Sequence, residues 1–312
     1  MTSGRSLLWR VVGVAFVALA LTFVVSRLVQ DWDDVRAAAD QVRPALLVAA
    51  FLAGAGGLVL TSLAWRRLLA GLGSPLGVVD AAQVFFVSQV GKYLPGSVWP
   101  YLAQARLGKD LGVPVRRSAQ TGVTFVLLHL VTGLVLGVPR VLFGDELDRR
   151  FVLAVVALPL LAVLVHPVVV QRLTGLAGRA MRVEVATAPM PWRSLGAAVA
   201  WLTGAWVLYG ISLALLVAPF QEVGLLSLGM LISSYALAWS VGFLGAALVV
   251  VAAPAGLGFR EIALYATLAG VISPGAAALV VLMSRVVLTL ADVVLAVVAA
   301  TTSGITRRRS EA

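Results

Sequence analysis

GKYLPGSVWP, at residues 91–100, is a polar and helix-breaking stretch inside a strongly apolar sequence. A second break, APAGLGFRE, follows at residues 253–261. A broken backbone at membrane depth is tolerated only where protein or a water-filled cavity surrounds it. Two such breaks at matching positions in two halves of a chain predict a central polar site between them.

The composition predicts an all-α polytopic membrane protein with a single transmembrane domain over residues 1–312. The chain is 61% hydrophobic and only 12% charged, and its apolar runs have the length of membrane-spanning helices. The net charge of +10 lies mostly in loops. There it indicates cytoplasmic loops and attraction to anionic headgroups, and it does not indicate a nucleic-acid partner.

The chain has no cysteine and two histidines. This excludes disulfides and thiol chemistry and disfavours a metal site, so we expect no metal and no cofactor.

We expect about six spanning helices, at residues 8–28, 45–64, 119–138, 151–170, 195–218 and 276–300. The first follows Arg5 and Arg10, and no small-residue cleavage site closes its apolar run, so we expect it to be retained. Residues 65–67, Trp-Arg-Arg, are expected to close the second helix, and a basic loop is expected to follow the fourth. Residues 75–117 and 226–274 contain the breaks and are predicted to form re-entrant hairpins.

The order helix, helix, broken hairpin, polar helix occurs twice, over residues 1–140 and 151–302. Pro95 then corresponds approximately to Pro254, and His129 and Arg285 lie in corresponding helices. Three spanning helices per half is an odd number, so we expect the second half to be inverted. Basic flanks on the first hairpin alone agree with this inversion, although coincidental matches are the alternative. Residues 303–312 are predicted to form a basic cytoplasmic tail.

The two breaks resemble the lysylphosphatidylglycerol synthase transmembrane region, also called the flippase-like domain family. The residues that carry the resemblance are Leu94-Pro95-Gly96 in the first break and Pro254, Gly256, Gly258 and Glu261 in the second. The resemblance implies the lipid-translocating half of such proteins. Because only residues 301–312 follow the last predicted helix, we expect no aminoacyltransferase domain. The chain departs from the family at residues 98–100, where members often carry a Gly-Glu-x-x-Arg-type pattern.

The candidate substrate-binding residues carry charge, an aromatic ring or special backbone geometry, and no catalytic residue is assigned. They are Lys92, Tyr93, Pro95, Gly96, Trp99, Arg106, His129, Pro254, Gly256, Gly258, Arg260, Glu261, Arg285 and Asp292.

Several of these residues have two interpretations. Lys92 either contacts a lipid phosphate or extends to the interface. We expect Arg285 to pair with Glu261, as a functional charge or a structural clamp, and adjacent Arg260 and Glu261 not to pair with each other. His129 is either a protonation switch or a hydrogen-bonded packing residue. The aromatic residues of the first break line an acyl-chain groove or form an interfacial belt.

These patterns predict the flipping of a phosphate-bearing lipid or lipid-linked precursor, without an enzymatic activity of its own. The alternatives are a membrane-embedded lipid-modifying enzyme and an accessory subunit of an envelope glycosyltransferase or lipid-synthesis system. The expected partners are anionic or phosphate-bearing membrane lipids and a lipid-modifying enzyme, with the oligomeric state left open. The expected location is the cytoplasmic membrane of a bacterium, with both termini cytoplasmic.

Overall fold

The computed structural model describes residues 32–93, 99–142, 166–181, 189–249 and 258–310, and all regular elements in these ranges are helical. A short 3₁₀ turn, Val90–Tyr93, follows the third helix. The helices are α1 (Trp32–Ala39), α2 (Pro44–Gly71), α3 (Val78–Gln89), α4 (Trp99–Asp110), α5 (Val115–Leu142), α6 (Pro167–Met181), α7 (Trp192–Val217), α8 (Leu225–Val249), α9 (Phe259–Leu268) and α10 (Pro274–Ser310).

Five helices in the described part of the chain are long and apolar enough to cross a membrane. Four of these candidate spans, in α2, α5, α7 and α10, match predicted spans. The fifth lies in α8, for which the sequence predicts one arm of the second hairpin. Its 25 residues rise about 37 Å, which exceeds the roughly 30 Å of a hydrocarbon core. The chain is therefore a multi-pass helical membrane protein.

Three short helices lie in the two segments predicted to form hairpins. α3 and α4 have 12 residues each and α9 has 10, so each rises only about 15–18 Å. They lie where the sequence predicts hairpin arms, and their re-entrance stays a prediction. The predicted span at residues 8–28 lies outside the described residues, and so do residues 151–165 of the span predicted at 151–170. Residues 167–170 of that span belong to α6. Pro95 and Gly96 of the first break and Pro254 and Gly256 of the second also lie outside the described residues.

Two predicted boundaries are wrong. α2 does not close at residues 65–67 but continues to Gly71, because Trp65 is buried against Phe85, with ring centroids 5.9 Å apart. The Nε of Arg66 donates to the carbonyl of Leu76 at 2.9 Å. Residues 171–181, expected in a loop, belong to α6.

Among the described helices, α2 and α7 form the most extensive contact, and small residues allow it. A Cβ added to Gly57 would lie 2.5 Å from the Tyr209 ring, and one added to Gly54 would lie 2.8 Å from Leu288. The hydroxyl groups of Thr61 and Tyr209 are hydrogen bonded at 2.9 Å. The glycines of α2 therefore permit close contact, as is usual where helices pack in lipid.

The other helices pack around this pair in two corresponding sets. α3 packs on α2, α4 and α10, and α8 packs on α7, α9 and α5. α4 also contacts α5, and α9 also contacts α10. α1 lies on α10, while α6 lies on α5. The 3₁₀ turn and α9, which adjoin the two sequence breaks, both meet α10.

Replacing Gly57 with alanine tests the central pair. We expect a lower thermal unfolding midpoint in detergent, because overpacking a tight contact costs about 1–3 kcal/mol. Gly196→Ala in α7 is the matched control, since nothing lies within 4 Å of its added Cβ, and alanine is the better helix former. Equal midpoints for the two variants would contradict the close α2–α7 contact.

Candidate functional site: a buried charge cluster

Glu261 receives hydrogen bonds from two sides at the start of α9. Gly258, immediately before the helix, has φ +94°, a conformation that suits glycine. Its backbone N–H donates to Glu261 Oε2 at 2.8 Å. Arg285 Nη1 of α10 donates to the other oxygen, Oε1, at 3.1 Å. The predicted pairing of Arg285 with Glu261 is therefore confirmed, and it joins α9 to α10.

Arg260 also lies beside Glu261, so the expectation that these neighbours do not pair is wrong. Its Nη1 is 3.7 Å from Glu261 Oε1, although the two residues leave the helix in different directions. Arg260 Nη2 reaches the hydroxyl groups of Ser284 at 3.0 Å and Tyr235 at 3.4 Å. The guanidinium also lies over the Tyr235 ring, 5.1 Å from its centroid. These partners bend the long side chain back toward the carboxylate.

The backbone of α8 makes room for Arg260. A Cβ at Gly242 would lie 2.7 Å from the Cβ of Arg260. Arg260 and Glu261 are each only 7% exposed. Buried charges at membrane depth are costly unless they are paired, so this arrangement is a strong constraint on the fold.

Lys92 forms a second ion pair, with Asp292 of α10, and Tyr93 hydrogen bonds to the same carboxylate. Lys92 Nζ lies 2.6 Å from Asp292 Oδ2, and the Tyr93 hydroxyl donates to the same oxygen at 2.8 Å. The side chain of Asp292 is 5% exposed and that of Lys92 is 28% exposed. Neither sequence interpretation of Lys92 included this partner. The pair joins the turn before the first break to a helix of the second half.

The two pairs share α10 and together carry an excess of positive charge. Their cations are Lys92, Arg260 and Arg285, and their carboxylates are Glu261 and Asp292, so three minus two leaves +1. The neighbouring break residues 94–98 and 250–257 contain no ionisable side chain in the sequence. The cluster therefore has the charge that favours a monoanion.

His129 belongs to an aromatic layer beside the cluster. Its ring stacks on Trp239 at 4.2 Å and contacts Trp206 at 4.8 Å. Trp206 Nε1 donates to Thr132 Oγ1 at 3.0 Å. The ring contacts agree with the packing part of the second interpretation of His129. Its buried Nε2, however, has no hydrogen-bond partner in the described ranges. The expected hydrogen bond from this nitrogen to a neighbouring helix is thus absent there.

Two further candidates lie on α4. Arg106 is exposed on α4, and Trp99 at the start of that helix is 46% exposed. The ring of Tyr101 lies against Gly122 of α5.

Sequence reasoning missed Tyr235 and Ser284 as partners of Arg260. The available signal was weak: each is a polar group in an otherwise apolar helix. Only the packing of α8 and α10 around α9 identifies which of the many hydroxyl groups in the spans reaches a charge.

Membrane-length helices around a buried charge cluster define a polytopic membrane protein with a polar interior site. A family model described as the lysylphosphatidylglycerol synthase TM region matches residues 10–296, so the chain belongs to that family. This confirms the resemblance inferred from the two breaks and is consistent with a role related to membrane lipids. No curated protein matches the chain.

Glu261→Gln tests whether the carboxylate neutralises the buried cations. We expect a loss of about 3–5 kcal/mol of stability, because removing one partner leaves buried charge unpaired. Adding Arg285→Met removes one unpaired cation, so the double variant should regain part of the lost stability.

Thermal unfolding in detergent provides the measurement. Exposed Glu222→Gln is the matched control and should leave the midpoint unchanged. Purely additive effects of Glu261→Gln and Arg285→Met would contradict the coupling between these side chains.

Proposed function

We propose that the protein translocates a phosphate-bearing lipid or lipid-linked precursor across the membrane. The observation that carries this proposal is that both sequence breaks adjoin one charge cluster. Tyr93 directly precedes residues 94–98, and Gly258 directly follows residues 250–257. The side chains next to both breaks pair with residues of α10. A headgroup passing between the breaks would meet this cluster.

We infer that the two breaks lie in corresponding units of an inverted repeat, and that α8, which is long enough to span the membrane, forms the longer first arm of the second unit. The packing supports this inference, because every helix contact in one half has a counterpart in the other. Exchange of the two halves replaces α1 with α6, α2 with α7, α3 with α8, α4 with α9 and α5 with α10, and the reverse. Applied together, these replacements turn the set of main helix–helix contacts into itself. Inverted repeats of this kind place the substrate site near the midplane, at the repeat interface.

The chemistry of the cluster favours a phosphodiester headgroup. A guanidinium offers a planar fork of donors that fits phosphate oxygens, and an ammonium supplies a compact point charge. The exposed apolar faces of α2 and α10 are suited to lipid, so acyl or polyprenyl tails can stay in the bilayer while the headgroup moves inside.

The alternatives are a lipid-modifying enzyme and an accessory subunit. An enzyme requires a positioned nucleophile and base. In the described ranges Ser88 Oγ donates to the carbonyl of Phe85, and Asp292 holds Lys92 and Tyr93, so no Ser–His–Asp arrangement with His129 forms there. We therefore favour a transporter of the bacterial cytoplasmic membrane, with cytoplasmic termini, that works beside a lipid-modifying enzyme.

Lipid scrambling in proteoliposomes tests the proposal. Fluorescent phosphatidylglycerol is placed in both leaflets, and an impermeant reductant reports how fast inner-leaflet label becomes accessible. We expect wild type to scramble this lipid. Arg285→Ala and the double variant Glu261→Gln/Arg285→Met should be about 10- to 100-fold slower, because each lost charged contact contributes about 1.5–3 kcal/mol.

Lys109→Ala removes one exposed cation from α4 and serves as the control, with wild-type scrambling expected. Folding of each variant is checked by its unfolding midpoint. Normal scrambling by folded variants of the cluster would contradict the site. Absence of scrambling by wild type, for phosphatidylglycerol and for a polyprenyl phosphate alike, would favour the accessory role.

A further inference from the structure

The Asp292 carboxylate is deeply buried, and its ion-pair partner, Lys92, has a long and flexible side chain. Its cation is a lysine, which is a point charge on a flexible stem, and the lysine side chain is 28% exposed. Lys92 lies near the start of the first break, two residues before Leu94. It belongs to a 3₁₀ turn rather than to a long helix. The second oxygen of Asp292, Oδ1, is buried and has no hydrogen-bond partner among the described residues. A single lysine therefore balances this carboxylate, and that lysine can move.

The other ionisable groups near Asp292 come from each element packed around α10. Tyr93 of the turn, Tyr209 of α7 and Tyr235 of α8 interact electrostatically with Asp292. The same tyrosines also interact with Arg260 of α9 or Arg285 of α10, and Tyr235 interacts with Glu261. His129 of α5 interacts with Lys92. The remaining charged residues on helices that contact α10 make no described hydrogen bond or ion pair with Asp292. They are Asp33, Asp34, Arg36, Arg66, Arg67, Asp80 and Arg193.

Substrate binding would change this balance. Arg260 and Arg285 already share Glu261, whereas Lys92 is the most exposed cation of the cluster. A headgroup phosphate entering beside the first break would therefore draw Lys92 away from Asp292. The buried carboxylate would then lose its counterion, and burial without a counterion favours the neutral, protonated form. Glu261 keeps both of its arginine partners.

We propose that Asp292 is a proton-binding site and that one proton crosses the membrane with each monoanionic lipid headgroup. This inference rests on the proposed function and adds its coupling ion. The proton comes from the aqueous side from which the lipid enters and binds a carboxylate oxygen of Asp292. Lys92 keeps its own proton and transfers its ion pair to the phosphate. One negative and one positive charge move together, so transport is electroneutral.

Imposed gradients test the coupling in proteoliposomes that contain fluorescent phosphatidylglycerol. A pH gradient at zero membrane potential should enrich the lipid in the leaflet that faces the alkaline side, by up to about tenfold per pH unit. A membrane potential at equal pH should leave the distribution unchanged.

Asp292→Asn cannot take up the proton, so its slower transport should ignore the pH gradient and respond to the potential. Asp110→Asn, an exposed carboxylate of α4, is the matched control and should behave as wild type.

Proton uptake provides a second readout that does not require transport. Short-chain phosphatidylglycerol is added to the detergent-solubilised protein in weak buffer, and a pH dye reports the protons taken up. We expect about one proton per lipid bound by wild type. We expect none for Asp292→Asn, which lacks the carboxylate, or for Lys92→Met, which lacks the ion pair that the phosphate would break. Inorganic phosphate, which lacks tails, serves as a parallel probe and should bind more weakly.

The outcomes separate this inference from the proposed function. Scrambling by wild type that ignores the pH gradient, or lipid binding without proton uptake, would overturn the proton site and leave the transporter standing. If wild type neither binds nor moves anionic lipid, the proposed function fails and the coupling fails with it. Tight binding of inorganic phosphate, with no preference for the lipid, would overturn the lipid as the co-transported anion.

Discussion

The Glu261 carboxylate is the interaction on which the rest of the site depends. It is almost fully buried, and it lies beside two guanidinium groups that come from different helices. In a medium of low dielectric constant each of these charges alone would be strongly unfavourable. Their mutual neutralisation explains why α9, a helix too short to cross the membrane, is fixed between α8 and α10.

A second ion pair involves Asp292, which lies two turns after Arg285 along α10. Asp292 is balanced by a lysine on a 3₁₀ turn, whereas Glu261 is balanced by two arginines and a backbone N–H. The lysine is a point charge on a flexible stem and is 28% exposed, whereas Glu261 is held by donors from two helices. This asymmetry suggests a division of work, in which the arginine group holds the architecture and the lysine pair responds to an anion.

Much of the fold could be predicted from periodicity and breaks alone. Apolar length predicts the spans in α2, α5, α7 and α10, because a membrane requires about 20 apolar residues per helix. The same rule fails for α8: its apolar residues run directly toward the second break, so the sequence has no polar boundary that separates a span from a hairpin arm. Helix ends such as Gly71 were missed because basic residues can be packed within a helix as well as end it.

The sequence by itself determined the membrane class, the family, and the pairing of Arg285 with Glu261, because isolated charges in apolar sequence have few possible partners. Tertiary structure alone decided that Lys92 and Tyr93 meet Asp292, about 200 residues away along the chain. It also decided that Arg260 folds back onto its neighbour through Tyr235 and Ser284. Such contacts depend on how α8, α9 and α10 pack around one another. Helical periodicity specifies which face of a helix is polar, but it does not specify which helix that face meets.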